Sequence, residues 1–335
     1  MAEIEEKKVK GGEFNTSSTD LDNVPSEKDW LINGVGLNQY NGFWCSPRFF
    51  TRMLSFHHHY KAESSDIWLV KLPKCGTTWF KALVFSIVNR HRFSLSESPL
   101  LKANPHALVR CYETDLNLHD PISYLEGLTH PRIMSTHVPY SGLPPSVRSS
   151  SCKIVSIFRD PRDQFVSYWH FMDKFWPNST LRPFEECFDL FCRGVHEYGP
   201  FWDHILGSFN ASAENPDKIL LMRYEEMKMS PVLQTKKLAS FLGYPFSEEE
   251  EKEGVLDGIV KLCSFDNLKD LEVNKEGRRP LGVPHKAFFR KGEVGDWTNY
   301  LTPSMADRIQ NLMNEKFSNS GLTFDQLNRN GDEAS

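Results

Sequence analysis

Four short apolar runs constrain this chain more than any other feature: DIWLVKL (66–72), RIMSTH (132–137), KIVSIF (153–158) and KILLMRY (218–224). They lack the clean in-and-out alternation of a half-solvated strand, which is how strands buried on both faces of a parallel sheet read. The first leads into TTWFKALVFSIVNR, where Trp79, Leu83 and Ile87 recur at helical spacing. The third leads into DQFVSYWHFMDKF, where Phe165, Trp169 and Met172 form a similar stripe. Strand, loop and helix in repeated succession predict an α/β domain with a central, mainly parallel sheet flanked by helices. Ligands of such sheets bind beyond the carboxyl ends of the strands, so the chemistry is expected in the loops that follow them.

A length of 335 residues fits one large α/β domain, and no low-complexity linker or internal repeat divides it. Residues 1–26 begin Glu/Lys-rich and turn Gly/Ser/Thr-rich, and residues 326–335 are similarly polar, so both read as flexible tails around a domain over 27–325. Lys+Arg number 39 against 44 Asp+Glu, a formal charge of −5, so no global positive field draws nucleic acid or an anionic membrane. An anionic ligand would need a local basic cluster. The seven cysteines are scattered without a CxxC pair, which reads as reduced intracellular thiols. The N-terminus has no apolar stretch of signal length and no run reaches a membrane span, so the expected location is the cytoplasm. The sequons at Asn178 and Asn210 are then chance matches.

Four post-strand segments carry candidate chemistry. PKCGTTW (73–79) follows the first strand and opens the first helix. Its helix N-terminus offers free N–H groups, Gly76 permits close backbone approach, Lys74 adds a full charge, and Thr77 and Thr78 add hydroxyls. This is phosphate-loop physics without the GxxxxGK[ST] spacing, because the lysine precedes the glycine; a plain strand-to-helix turn capped by threonine is the alternative. In FRDPRDQFVSYWHF, Arg159 ends a strand and Ser167 sits on the next helix, a pairing suited to a phosphate cage or, equally, to a solvated ion-pair cluster. In FFRKGEVGDW, Arg290, Lys291 and Gly292 suit a flap over a phosphate or an ordinary basic turn. His137, at the end of the second strand, could accept a hydroxyl proton near neutral pH or be structural. The HHH run at 57–59 points its side chains apart with no partner cluster, so no metal site is expected there.

Taken together and in this order, these motifs resemble the cytosolic sulfotransferase family, its plant members in particular, over about residues 27–322. The resemblance implies a phosphate-loop architecture and transfer of sulfonate from 3′-phosphoadenosine-5′-phosphosulfate (PAPS) to a hydroxyl of a small apolar acceptor. It places Lys74, Cys75, Gly76, Thr77 and Thr78 on the 5′-phosphosulfate, with Trp79 against adenine. Arg159, Ser167, Arg290, Lys291 and Gly292 would hold the 3′-phosphate, and Tyr224 and Phe265 the adenosine. His137 matches the catalytic base, Lys74 would stabilise the leaving phosphate, and Phe43, Trp44 and Phe171 would border the acceptor with His137. Two departures stand out: Cys75 where serine is usual, and Ser135 where many animal members have a lysine that contributes a cation. The C-terminal TNYLTP departs from the family's dimerisation pattern, which implies a monomer. A flavonoid or steroid-like acceptor is expected, with no metal, nucleic acid or membrane partner. A phosphate-loop kinase and a noncatalytic ligand-binding protein on the same fold are the competing readings.

Overall fold

Alternate residues along the central strands enter two different cores, and this is why the apolar runs showed no alternation. In β4 (Ile67–Val70), Trp68 and Val70 join one apolar cluster while Ile67 and Leu69 join the other. In β7 (Lys153–Phe158), Ile154 and Phe158 face the first cluster, and Val155 and Ile157 the second. With both faces covered, every position favours an apolar side chain.

The computed structural model describes residues 25–32, 34–116, 120–175, 180–279, 282–322 and 324. Almost all of both expected tails, and the Asn178 sequon, lie outside the described residues. Ser26, assigned to the N-terminal tail from sequence, already pairs with Asn38. Five strands make the main sheet, in the order β5 (Arg110–Cys111), β6 (Ile133–Thr136), β4, β7 and β8 (Ile219–Arg223), and every neighbouring pair is parallel. The four expected strands are all present, and the sheet matches the expected α/β class.

The helix Thr77–Asn89 buries Phe80, Leu83, Val84 and Ile87 in one core. The helix Pro161–Phe175 buries Phe165, Val166 and Met172 in the other, so consecutive strand–helix units cover opposite faces. Sequence reading did not anticipate the two-residue strand β5 or a small antiparallel sheet of β1 (Ser26–Glu27), β2 (Leu37–Tyr40) and β3 (Phe43–Cys45). Its hairpin turns at Asn41 and Gly42, both at positive φ, which is the Asn-Gly turn of tight hairpins. Among the described residues no helix is long and apolar enough to cross a membrane, and all seven cysteines are buried free thiols.

Candidate active site

Beyond the end of β4 the backbone enters the left-handed region twice, at Lys74 (φ 70°) and at Gly76 (φ 85°), and the second of these caps the helix Thr77–Asn89. A β-carbon on Gly76 would lie 2.8 Å from the Tyr224 ring, so glycine is required by both dihedral and space. A non-glycine residue such as Lys74 held at positive φ is the kind of strain that concentrates at functional sites. The loop presents the first N–H groups of the helix to a cleft of about 260 Å³ that Lys74, Gly76, Thr77, Thr78 and Trp79 help to line.

The opposite wall carries the other basic residues. Arg159, only 6% exposed, bonds Asp163 at 3.0 Å and the carbonyl of Glu293, and it lies over the Tyr224 ring at 4.5 Å. Arg290 and Lys291 both donate to Asp296, at 2.5 and 2.6 Å. Burial opposes ionisation of Asp296, but hydrogen bonds from Lys291, Asn299 and Arg290 override it and hold the carboxyl at about 2. Asp163 also accepts N–H bonds from Gly295 and Trp297, at 2.8 and 3.0 Å, which ties the 290–297 segment to the helix bearing Ser167. Tyr224 donates to the Gly292 carbonyl at 3.2 Å, and a β-carbon on Gly292 would lie 2.6 Å from Phe265. Arg159, Ser167, Tyr224, Phe265, Arg290, Lys291 and Gly292 therefore converge on the same cleft as the glycine loop.

The donor set fits an adenine nucleotide with phosphates at both ends. Thr77 Oγ1, Arg159 Nε and Arg290 Nε are buried without a hydrogen-bond partner among the described residues, and each belongs to a residue lining this cleft. Buried donors left unsatisfied are costly unless a ligand completes them. Burial, then Arg290 and Arg159, pushes the half-buried Lys74 amine down to about 7, the mark of cations gathered around a place for anions.

A second cavity of about 660 Å³ adjoins the first, and His137 lines both, together with His106, Phe171 and Phe288. His137 Nδ1 lies 2.9 Å from the Lys71 carbonyl. A carbonyl only accepts, so Nδ1 carries the proton and Nε2 is the basic nitrogen. Burial, followed by the charge of Lys71, lowers the His137 pKa well below the ordinary 6.5 and keeps the ring neutral. Its backbone is held as well: the N–H donates to Glu113 Oε1 at 2.5 Å and the carbonyl accepts from His204 Nε2 at 3.1 Å.

Ser135 accepts a 2.7 Å hydrogen bond from Lys71 Nζ, so a lysine nitrogen reaches this strand position from the neighbouring strand. Lys71 is fully buried, its pKa pushed down to about 7 by burial and by Lys81, and it lines neither cavity. Cys111, Glu113 and His137 bring potential metal donors within 4.8 Å of one another. Burial raises the Cys111 thiol pKa well above 9.0, however, which opposes a thiolate ligand there.

Of the residues expected from sequence, three stand apart from the cavities. Cys75 is 1% exposed and packs into the core with its thiol pushed up to about 12 by burial. Phe43 and Trp44, in β3, also face the core and line neither cavity. Phe43 packs on Tyr40 and Gly142; the Trp44 carbonyl accepts from the N–H of Tyr198, which does line the second cavity. His106, Lys81, Tyr198 and Phe288 were not anticipated: His106 and Tyr198 lie in segments with no motif, while Lys81 and Phe288 lie within quoted strings whose other residues carried the signal.

The chain matches the sulfotransferase domain family over residues 64–321. It is 46% identical over 308 residues to cytosolic sulfotransferase 12 of Arabidopsis thaliana, covering 91% of this chain and 92% of that protein. It is 44% identical over 312 residues to cytosolic sulfotransferase 5 of the same plant, covering 92% and 96%. Among solved structures, mouse sulfotransferase SULT7A1 in complex with 3′-phosphoadenosine-5′-phosphate (PAP) is similar with a TM-score of 0.67 at 28% identity, covering 85% of this chain and 95% of that one. Retinol dehydratase with androsterone and PAP shares the fold at a TM-score of 0.72 and 19% identity, covering 91% and 93%. With a glycine loop and a basic segment lining one cleft, and with these relatives, the chain belongs to the sulfotransferase family and is a PAPS-dependent sulfotransferase.

Proposed function

We propose that the protein sulfonates a hydroxyl of a small, mostly apolar, ring-bearing acceptor held in the larger cavity, with His137 as general base and Lys74 stabilising the departing phosphate. The observation that carries this reading is the position of His137, whose neutral ring lines both the basic cleft and the apolar cavity. PAPS supplies an activated sulfonate; the protein's own task is to bind, orient and move one proton. Lys74, Gly76, Thr77 and Thr78 bind the 5′ end, and Arg159, Ser167, Arg290, Lys291 and Gly292 the 3′-phosphate, which selects against ATP. Trp79, Tyr224 and Phe265 border the adenosine portion. His137 Nε2 accepts the acceptor's hydroxyl proton, and Nδ1 keeps its own on the Lys71 carbonyl. Charge developing on the leaving group falls among Lys74 and helix N–H groups that are already oriented, so little reorganisation is needed.

Leu31, Phe49, Tyr168, Phe171, Tyr198 and Phe288 give the larger cavity its apolar walls, and an Asp115–Arg279 ion pair supplies a polar end. Flavonoids and steroid-like alcohols, with a reacting hydroxyl and a second polar group, suit that division. The androsterone bound by retinol dehydratase is of this general kind. The cytosolic relatives favour action in the cytosol, and the protein works as a monomer on this reading. Labelled PAPS supplied with a panel of flavonols, steroid alcohols and simple phenols should give sulfonated product with the ring-bearing acceptors. No product across the panel, with PAP still bound, would leave a noncatalytic binder as the better reading.

A further inference from the structure

A second histidine, His106, touches both cavities and takes no part in the mechanism above. Its Nε2 lies 3.0 Å from Thr78 Oγ1 and its Nδ1 lies 3.3 Å from Lys81 Nζ. Thr78 lines the nucleotide cleft and the fully buried Lys81 lines the acceptor cavity, so the contacts run from one site to the other. The ring is clamped on every side. It stacks on Phe288 at a centroid distance of 4.3 Å, the residue's backbone N–H donates to Asn104 Oδ1 at 2.9 Å, and its backbone carbonyl accepts from Arg279 Nη1 at 2.9 Å. Asn104 is itself fixed by Asn274 at 2.7 Å.

The donor and acceptor roles in this chain follow from valence. Burial lowers the Lys81 pKa; in its ammonium form the amine only donates, so Lys81 donates to Nδ1 and Nδ1 offers its lone pair. The ring proton then sits on Nε2 and is donated to Thr78 Oγ1. Having accepted there, the Thr78 hydroxyl is free to turn its own hydrogen toward the cleft. Without the relay the hydroxyl could as readily donate to the histidine and present a lone pair to an anion. Burial, then the charges of Lys81 and Arg279, lowers the His106 pKa well below 6.5, so the ring stays neutral and keeps one tautomer.

We infer that His106 is a positioning residue for the donor nucleotide: with Lys81 it orders the Thr78 hydroxyl as a hydrogen-bond donor to the 5′-phosphate. This rests on the proposed placement of that phosphate at the glycine loop.

The test is a double-mutant cycle on PAP affinity, measured by titration calorimetry on the full chain. Thr78→Val removes the hydroxyl at nearly constant shape, and His106→Phe keeps the stack on Phe288 while removing both ring nitrogens. Thr78→Val should weaken PAP binding by about 10- to 100-fold, the scale of one hydrogen bond to a charged group, and His106→Phe, which leaves the hydroxyl in place but unordered, by less. The double variant should be no weaker than Thr78→Val alone, and His106→Gln, whose amide N–H reaches about as far as Nε2, should recover most of the affinity that His106→Phe loses. Losses that simply add would overturn the relay, since a merely structural His106 would act independently of Thr78. Failure of the wild-type chain to bind PAP would instead sink the placement of the phosphate and this inference with it. Should His106→Phe not fold, long-range proton–nitrogen correlation on the wild-type ring decides: the Nε2–H tautomer supports the relay and the Nδ1–H tautomer overturns it.

Discussion

The two cavities that meet at His137 are built in opposite ways. The nucleotide cleft draws most of its polar groups from three contiguous segments, 73–79, 159–167 and 290–297, with His106, His137, Tyr224, Lys228 and Ser264 added from elsewhere. The acceptor cavity is assembled from small groups of residues in many separated stretches, among them Leu31, Phe49, Lys81, His106, Tyr198 and Arg279. Binding phosphates needs free backbone N–H groups and fixed cations, which only particular local conformations provide, so the solution is written in short motifs. Enclosing an apolar ring needs only surface of the right shape, and many residue combinations supply that.

His137 belongs to both sites, so its loss should show the largest effect and separate chemistry from binding. His137→Ala should lower kcat by about 10²- to 10⁴-fold, the usual scale of general-base action, while PAP affinity stays near the wild-type value. Near-full turnover in that variant would remove His137 from the mechanism. In the wild-type enzyme the base must be neutral, so activity falls as pH drops through its pKa. Because burial and Lys71 depress that pKa, the acid limb of kcat/KM should lie well below the ordinary 6.5. An acid limb at or above that value would contradict the buried, carbonyl-anchored ring.

On the nucleotide side alone, Arg159→Ala should weaken PAP binding by roughly 10- to 100-fold, the cost of one lost charge-assisted bond. Asp163 would keep its N–H bonds to Gly295 and Trp297, so the flap should stay anchored and the acceptor KM should change little. Unchanged PAP affinity, read by calorimetry, would take Arg159 out of the cage.

How much of this was legible follows the same division. Lys74, Gly76, Arg159 and Arg290 could be singled out because each sits in a short string with its own charge and turn chemistry, although each string alone also admitted a plain structural reading, and the structure brings all four to one cleft. The four central strands were legible because burial on both faces leaves mostly apolar side chains. Phe43 and Trp44 show the limit. A large aromatic beside a site satisfies core and pocket equally well in sequence, and only the direction of β3 turns these two inward. His106 and Lys81 lie 25 residues apart and gain meaning only when the helix Thr77–Asn89 brings Lys81 against the 104–108 segment. The Lys71–Ser135 hydrogen bond was hidden likewise, because it crosses between paired strands.

A smaller effect probes the electrostatics of the cleft. Lys74 titrates at about 7 because of burial and then Arg290 and Arg159. A docked phosphate reverses the sign of that field and raises the value. Between the two pKa values, binding must therefore take up a proton, and affinity must fall as pH rises above about 7. Calorimetry at pH 8 in two buffers of different ionisation heat should show net proton uptake on PAP binding. Equal apparent heats would mean that Lys74 is already charged, and the gathered cations would then be better neutralised than the geometry implies.

The smallest expected effect sharpens the comparison at its least legible point. Trp44 touches the acceptor site through its backbone: its N–H donates to the Gly199 carbonyl at 2.9 Å, and its carbonyl accepts from the Tyr198 N–H at 2.7 Å. Those bonds hold Tyr198, at φ 66°, where its ring meets His137 at 5.6 Å. Substituting the Trp44 side chain leaves both bonds in place. Trp44→Phe should therefore lower thermal stability by a core-packing cost of about 1–3 kcal/mol, with acceptor KM and PAP affinity essentially unchanged. Phe171→Ala, which opens a wall shared by both cavities and removes the ring 4.3 Å from Lys74 Nζ, should raise both constants. If Trp44→Phe shifted acceptor KM as far as Phe171→Ala did, Trp44 would belong to the pocket after all, and the aromatic side chains of β3 would have been readable as site residues from the start.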